Sequence, residues 1–132
     1  MELNLIQGGD SIKLLEKYTP SNYPAPEWGD MSGMMSRLII HLESIDHEPI
    51  YVFTSHAELL FTDEDHHEKW MVLVNISTLL DETQAYKIIV AQDAPWHQLV
   101  GFATNPIDAA DLIISGLNSS KGRNRNIYLD SE

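Results

Sequence analysis

The chain has 132 residues, of which 20 are acidic and 8 basic, so its formal net charge is −12 at neutral pH; 43% of its residues are hydrophobic. That length and apolar content predict one globular domain, and the negative charge disfavours direct binding to nucleic acid or to an anionic membrane. The absence of cysteine excludes disulfides and cysteine-ligated zinc, and no apolar run approaches the roughly 20 residues of a membrane span. We therefore expect a cytoplasmic protein without a membrane contact.

The first 29 residues predict only short elements of regular structure. Residues 3–6 are a short apolar run, which favours an edge strand or a docked arm. A helix capped by Asp10 or Ser11 is expected to continue to Tyr18, with Ile12, Leu14 and Leu15 facing inward. Three prolines within residues 19–29 predict an extended surface loop.

The clearest periodicity in the chain lies in residues 30–45. Apolar side chains recur there at the spacing of one helical face: Met31, Met34, Met35, Leu38, Ile39, Leu42 and Ile45. This spacing predicts a buried helix with Asp30 at its N-cap. A strand over residues 37–45 is the alternative interpretation.

The C-terminal part predicts most of the sheet. Residues 50–54, 70–76, 86–91 and 99–103 are rich in β-branched and aromatic residues and are expected to be strands. Residues 58–62 are compatible with a helical turn or a further strand, and a short helical turn is expected over residues 77–82. Asn105 and Pro106 suit the start of a final helix, whose apolar face would include Ile107, Ala110, Ile114 and Leu117.

Together these elements predict an α+β fold: an antiparallel sheet of four to five strands with two longer helices packed on one face. We expect residues 1–118 to form a single domain and residues 119–132 to form a polar C-terminal tail.

An acidic stretch of residues 41–68 is the most distinctive feature of the sequence. It contains eight carboxylates and five of the six histidines, without any lysine or arginine. We predict that its exposed part binds a basic partner, with a well-solvated loop as the alternative. The predicted partner-binding residues are Asp46, Glu48, Glu58, Asp63, Glu64, Asp65, His66, His67, Glu68 and Trp70.

Motifs for catalysis are missing from the sequence. It has no Gly-x-Ser-x-Gly nucleophile elbow, no phosphate-binding glycine loop and no His-Glu-x-x-His zinc motif. We therefore expect no catalytic residues, no metal and no cofactor. A small ligand-binding domain or enzyme with a pocket near Asp93, Trp96 and His97 is the alternative.

The acidic run from Glu43 to Glu68, the neighbouring Trp70 and the closing helix from Asn105 to Ala110 resemble, in overall composition, the small immunity proteins of bacterial toxin–immunity systems, including those of contact-dependent growth inhibition. That resemblance implies a cytoplasmic inhibitor that covers a basic toxin domain, often a nuclease. A phage-type inhibitor that mimics DNA would share the acidic surface and is the second alternative.

Overall fold

The computed structural model describes residues 1–63, 70–91 and 97–120, with the backbone alone at residues 97–100 and 120. The described residues form six strands and three helices. In chain order these are β1 (Leu3–Leu5), α1 (Ser11–Leu15), α2 (Met31–Glu43), β2 (Ile50–Ser55), β3 (Glu58–Thr62), β4 (Val72–Thr78), β5 (Gln84–Ala91), β6 (His97–Ala103) and α3 (Pro106–Ser120).

The strands lie side by side in chain order in one mixed sheet. β2 to β6 are joined in antiparallel pairs, whereas β1 runs parallel to β2, with Leu3 opposite Ile50. The α+β class is confirmed, but the predicted antiparallel sheet of four to five strands is wrong in strand number and direction. β1 and β3 are short, so neither shows a clear alternating pattern, and the parallel pairing of β1 depends on a crossover through α1 and α2.

The two longer helices agree with the periodicity of the sequence. Met35, Leu38, Ile39 and Leu42 on α2 have no exposed surface, and the strand alternative for residues 37–45 is wrong. Asp30 precedes α2 without a side-chain cap; its carboxylate instead accepts a hydrogen bond from Arg37 at 2.8 Å.

The last helix begins where the sequence predicts. Asn105 caps α3, because its Oδ1 accepts the backbone N–H of Asp108 at 2.9 Å. On α1, the expected capping by Asp10 is confirmed by hydrogen bonds from the N–H groups of Ile12 and Lys13. Leu14 on α1 and Ala110 and Leu117 on α3 are buried as predicted, whereas the inward orientation predicted for Ile12 and Ile107 is wrong, because these side chains are 67% and 60% exposed. α1 ends at Leu15 and not at Tyr18.

Both faces of the sheet carry buried side chains. α2 and α3 pack on one face, against residues such as Val52, Leu59 and Val74, as predicted. The opposite face holds a second apolar cluster of Phe53, Leu60, Leu73, Ala91 and Trp70. Because side chains alternate along a strand, adjacent residues such as Val52 and Phe53 contribute to different clusters.

Short turns connect β2 with β3 and β4 with β5. Residues 56–57 form the β2–β3 turn, with His56 in the left-handed region (φ 57°). The predicted helical turn over residues 77–82 is wrong, because Thr78 still pairs with Gln84 and residues 79–83 make the β4–β5 turn. Among the described helices, none combines the length and apolar character needed to cross a membrane.

Candidate functional site

The β2–β3 hairpin joins two separate parts of the acidic stretch. Tyr51 lies opposite Thr62 in this antiparallel pair, so the residues just before β2 lie beside Asp63, just after β3. Glu48 and Asp63 are therefore neighbours at one end of the sheet. We name the group of Asp46, Glu48 and Asp63, which are all exposed, the acidic end.

A cavity of about 340 Å³ opens at the acidic end. The cavity is lined by two acidic residues, Glu48 and Asp63, and by Asn118 from the end of α3. Its apolar walls come from Ile50, Met71 and Leu117. Such a cavity suits a ligand that combines a positive charge with an aliphatic stem, since the carboxylates bind the charge and the apolar walls pack against the stem.

The acidic end is negatively charged. The ion pairs among the described residues join Lys13 with Glu16 and Arg37 with Asp30, so neither Asp46 nor Glu48 is neutralised there. His47, which also lines the cavity, donates its Nδ1–H to the carbonyl of Glu48 at 2.8 Å, because a carbonyl can only accept. In the neutral ring its Nε2 is then left as an acceptor.

A positive group lies close in space to this region, although it is far away in the sequence. The N-terminal ammonium donates to the carbonyl of Glu43 at 3.0 Å and to that of Ile45. These carbonyls lie at the end of α2, where the helix dipole favours a positive charge. The ammonium therefore stabilises the α2 terminus immediately before Asp46.

Glu58 does not belong to the acidic end. It lies opposite Ser55 at the turn of the hairpin, about 16 Å along the strands from Asp63. Its side chain is half-buried and accepts a hydrogen bond from Asn75 Nδ2 at 3.4 Å. Its charge also contributes, after burial and Tyr23, to raising the pKa of Tyr18. The structure thus separates Glu58 from the other described carboxylates predicted to bind a partner.

Trp70 is a core residue. It has no exposed surface and packs in the second apolar cluster with Phe53 and Leu60. A side chain in this position cannot contact a partner directly, which removes Trp70 from the predicted binding residues. A tryptophan beside an acidic run suits both a surface anchor and a core position, and only the packing of the sheet distinguishes them.

Several predicted residues lie outside the described part of the chain. These are Glu64, Asp65, His66, His67 and Glu68 of the acidic stretch, and Asp93 and Trp96 of the alternative pocket; His97 is described by its backbone alone. Their proposed roles stay predictions. Within the described ranges, no group of three or more histidine or carboxylate side chains is arranged to hold a metal ion.

Sequence reasoning missed the apolar half of the cavity. Met71 precedes β4 and Leu117 lies on α3, far away in the chain, and only the packing of α3 onto β4 and β5 places both beside Glu48. No local pattern signals this convergence. No family model matches this chain, and no curated protein or solved structure matches it.

Proposed function

We propose that this protein is an immunity-type inhibitor, which neutralises a basic toxin domain in the cytoplasm by binding it through the acidic end. The observation that carries the proposal is the cavity flanked by Glu48 and Asp63, with apolar walls from Ile50 and Leu117. A toxin that acts on nucleic acid carries lysine and arginine to hold phosphates. The acidic end would bind such side chains and exclude the nucleic acid.

The two halves of the site have different physical roles. Exposed carboxylates attract a basic partner over several ångströms and raise the association rate, particularly at low salt. Side-chain insertion into an apolar cavity excludes water and lowers the dissociation rate. The inhibitor therefore acts by occupying the toxin, and no catalytic step is required.

The first experiment tests inhibition itself. The protein is co-expressed with a candidate toxin domain from a neighbouring open reading frame, and growth and complex formation are measured. The proposal predicts protection and a complex that weakens as salt rises. A toxin that remains active and forms no complex would refute the proposed function.

The second experiment separates charge from shape. The pair Asp46→Asn and Glu48→Gln should lower the association rate roughly threefold to tenfold at low salt. The matched control pair, Asp111→Asn and Glu16→Gln, removes the same charge from exposed sites elsewhere and should have a much smaller effect. Equal losses in both pairs would mean that net charge alone attracts the toxin and would count against the acidic end.

The cavity is tested without any change of charge. Asn118 is exposed on its rim, so Asn118→Trp fills the opening. If a basic side chain enters the cavity, this variant dissociates faster and associates at an almost unchanged rate. Unchanged dissociation would show that the cavity is not part of the interface.

A further inference from the structure

A second groove lies at the opposite end of the sheet from the acidic end. It has a volume of about 360 Å³ and lies between the loop of residues 24–30 and the β4–β5 hairpin. Its walls include Glu27, Trp28, Met31, Ile76, Glu82 and Gln84. Met71 before β4 lines the first cavity and Thr78 at its end lines this one, so the two sites are about 20 Å apart along the strand.

Trp28 is held firmly on one side and open on the other. Its ring meets the ring of Tyr23 in a T-shaped contact at 5.1 Å, and Tyr23 stacks on buried Tyr18 at 5.9 Å. The hydroxyl groups of both tyrosines donate to backbone carbonyls of the β2–β3 turn, at His56 and Ala57. Trp28 nevertheless remains 38% exposed, so its indole is both supported and accessible.

Gln84 fixes the loop that carries Trp28. Its Nε2 donates to the Trp28 carbonyl at 3.2 Å, and its Oε1 accepts the Asp30 N–H at 2.9 Å. Gly29 between them has φ 57°, and a Cβ there would lie 2.6 Å from the Gln84 side chain. The groove wall is therefore set before any ligand arrives, which lowers the entropy cost of binding.

The groove is negatively charged. Glu27 and Glu82 are exposed, and neither takes part in the ion pairs found among the described residues. Arg37, the cation beside this loop, already pairs with Asp30. Hydrogen bonds from Thr83 lower the pKa of the adjacent Asp81, so that carboxylate keeps its charge to lower pH.

We propose that this groove binds an arginine side chain of a partner protein. A guanidinium group stacks on an indole and forms directional hydrogen bonds with carboxylates, so it uses Trp28, Glu27 and Glu82 together. The methylene stem of the arginine packs against Met31 and Ile76. This site is independent of the acidic end and of the function proposed for it.

A protein-borne arginine fits this end of the sheet better than a small free cation. Leu80 lies in the same β4–β5 turn as Glu82, and its side chain is fully exposed. An apolar side chain in that position gives residues next to the arginine a surface to contact. A free cation would use the groove alone.

The test is an NMR titration of the full chain with two blocked pentapeptides, Gly-Gly-Arg-Gly-Gly and the same peptide with citrulline, its neutral isostere. The indole N–H signal of Trp28, identified by its loss in Trp28→Phe, reports binding. The arginine peptide should shift this signal saturably, with a dissociation constant on the order of 1 mM. The citrulline peptide should bind at least about fivefold more weakly.

Substitutions in the groove test which side chains contribute to binding of the arginine peptide. Glu27→Gln with Glu82→Gln should weaken binding of the arginine peptide roughly fourfold at low salt, while the pair Asp111→Asn and Glu16→Gln, which removes the same charge from exposed sites that line neither cavity, serves as the control and should change it little. Equal binding of both peptides, or equal losses from the groove variant and the control, would overturn the proposal. An arginine peptide with a leucine beside the arginine should bind more tightly to the wild type than to Leu80→Ala; equal binding would refute the role of Leu80.

Discussion

Gly116 on α3 permits a close approach between this helix and the sheet. A Cβ at this position would lie 2.7 Å from Cγ2 of Val90 and 3.0 Å from Cγ2 of Val72. Ordinary contacts between such carbons are about 3.5–4.0 Å, so Gly116→Ala forces the helix and the sheet apart by several tenths of an ångström. The next two residues, Leu117 and Asn118, line the cavity at the acidic end, so this contact also sets the shape of that site.

Two effects of opposite sign determine the stability of Gly116→Ala. Alanine in a helix interior is favoured over glycine by about 1 kcal/mol. Insertion of an extra carbon into a packed core costs typically about 1–3 kcal/mol. We therefore expect a net loss of about 1 kcal/mol. The exposed control on the same helix, Ser115→Ala, should be neutral or slightly stabilising.

A double-mutant cycle with Val90→Ala measures the contact itself, using unfolding in guanidinium chloride followed by circular dichroism. Val90→Ala alone opens a gap and should cost about 2–3 kcal/mol. The methyl group that Gly116→Ala introduces fills part of that gap in the double variant. The combined loss should therefore be smaller than the sum of the single losses by about 1 kcal/mol or more. Additive losses, or stabilisation by Gly116→Ala alone, would refute the close approach of α3 to β4 and β5.

Three further predictions follow from buried and capping residues. Leu60→Ala should lose about 2–4 kcal/mol of unfolding free energy, because Leu60 is buried in the second cluster, whereas the same change at exposed Leu80 should cost less than about 0.5 kcal/mol; similar losses would contradict this assignment. Asn105→Ala should cost about 1 kcal/mol through the lost cap of α3, and Asn105→Ser, which can still cap and adds no charge beside Asp108, should restore most of it; a Ser variant as unstable as the Ala variant would contradict the cap. Burial raises the pKa of Tyr18 and that of Tyr86, the latter to about 12, so their contribution to stability is complete below about pH 10, the unfolded value, and is lost as pH rises through the folded pKa. In denaturant titrations at increasing pH above 10, wild type should therefore lose more stability than the double Tyr→Phe variant; equal losses would contradict the two pKa shifts.

The three helices and the residues at which they begin were accessible from the sequence because their signals are local, whereas α1 and α2 end before the predicted residues. The apolar face of α2 repeats over four turns, and Asn105-Pro106 marks the start of α3 by cap chemistry that depends on only three neighbouring residues. The same reasoning placed Ile12 and Ile107 on the wrong side. At the end of an element, one apolar residue does not define a face.

The number and pairing of the strands could not be predicted from short segments of the sequence. β1 has three residues, and its parallel partner Ile50 lies beyond two helices in the chain. The sequence of residues 58–62 is compatible with a helical turn and with a strand. In the structure they are a strand, in which Leu60 lies between Phe53 and Leu73 in the second apolar cluster. Which distant segments pair as strands depends on burying side chains on both faces of the sheet at once, and no local sequence pattern indicates this pairing.

The sequence by itself determined the acidic stretch, the absence of cysteine and the amphipathic helices, because composition and short-range periodicity express these features directly. Only the tertiary structure decided that Glu48 and Asp63 flank one cavity, that Glu58 lies at the other end of the hairpin, and that Trp70 is in the core. The reason is physical: strand register and helix packing bring distant residues together and turn adjacent residues to opposite faces, so proximity in the chain does not predict proximity in the site.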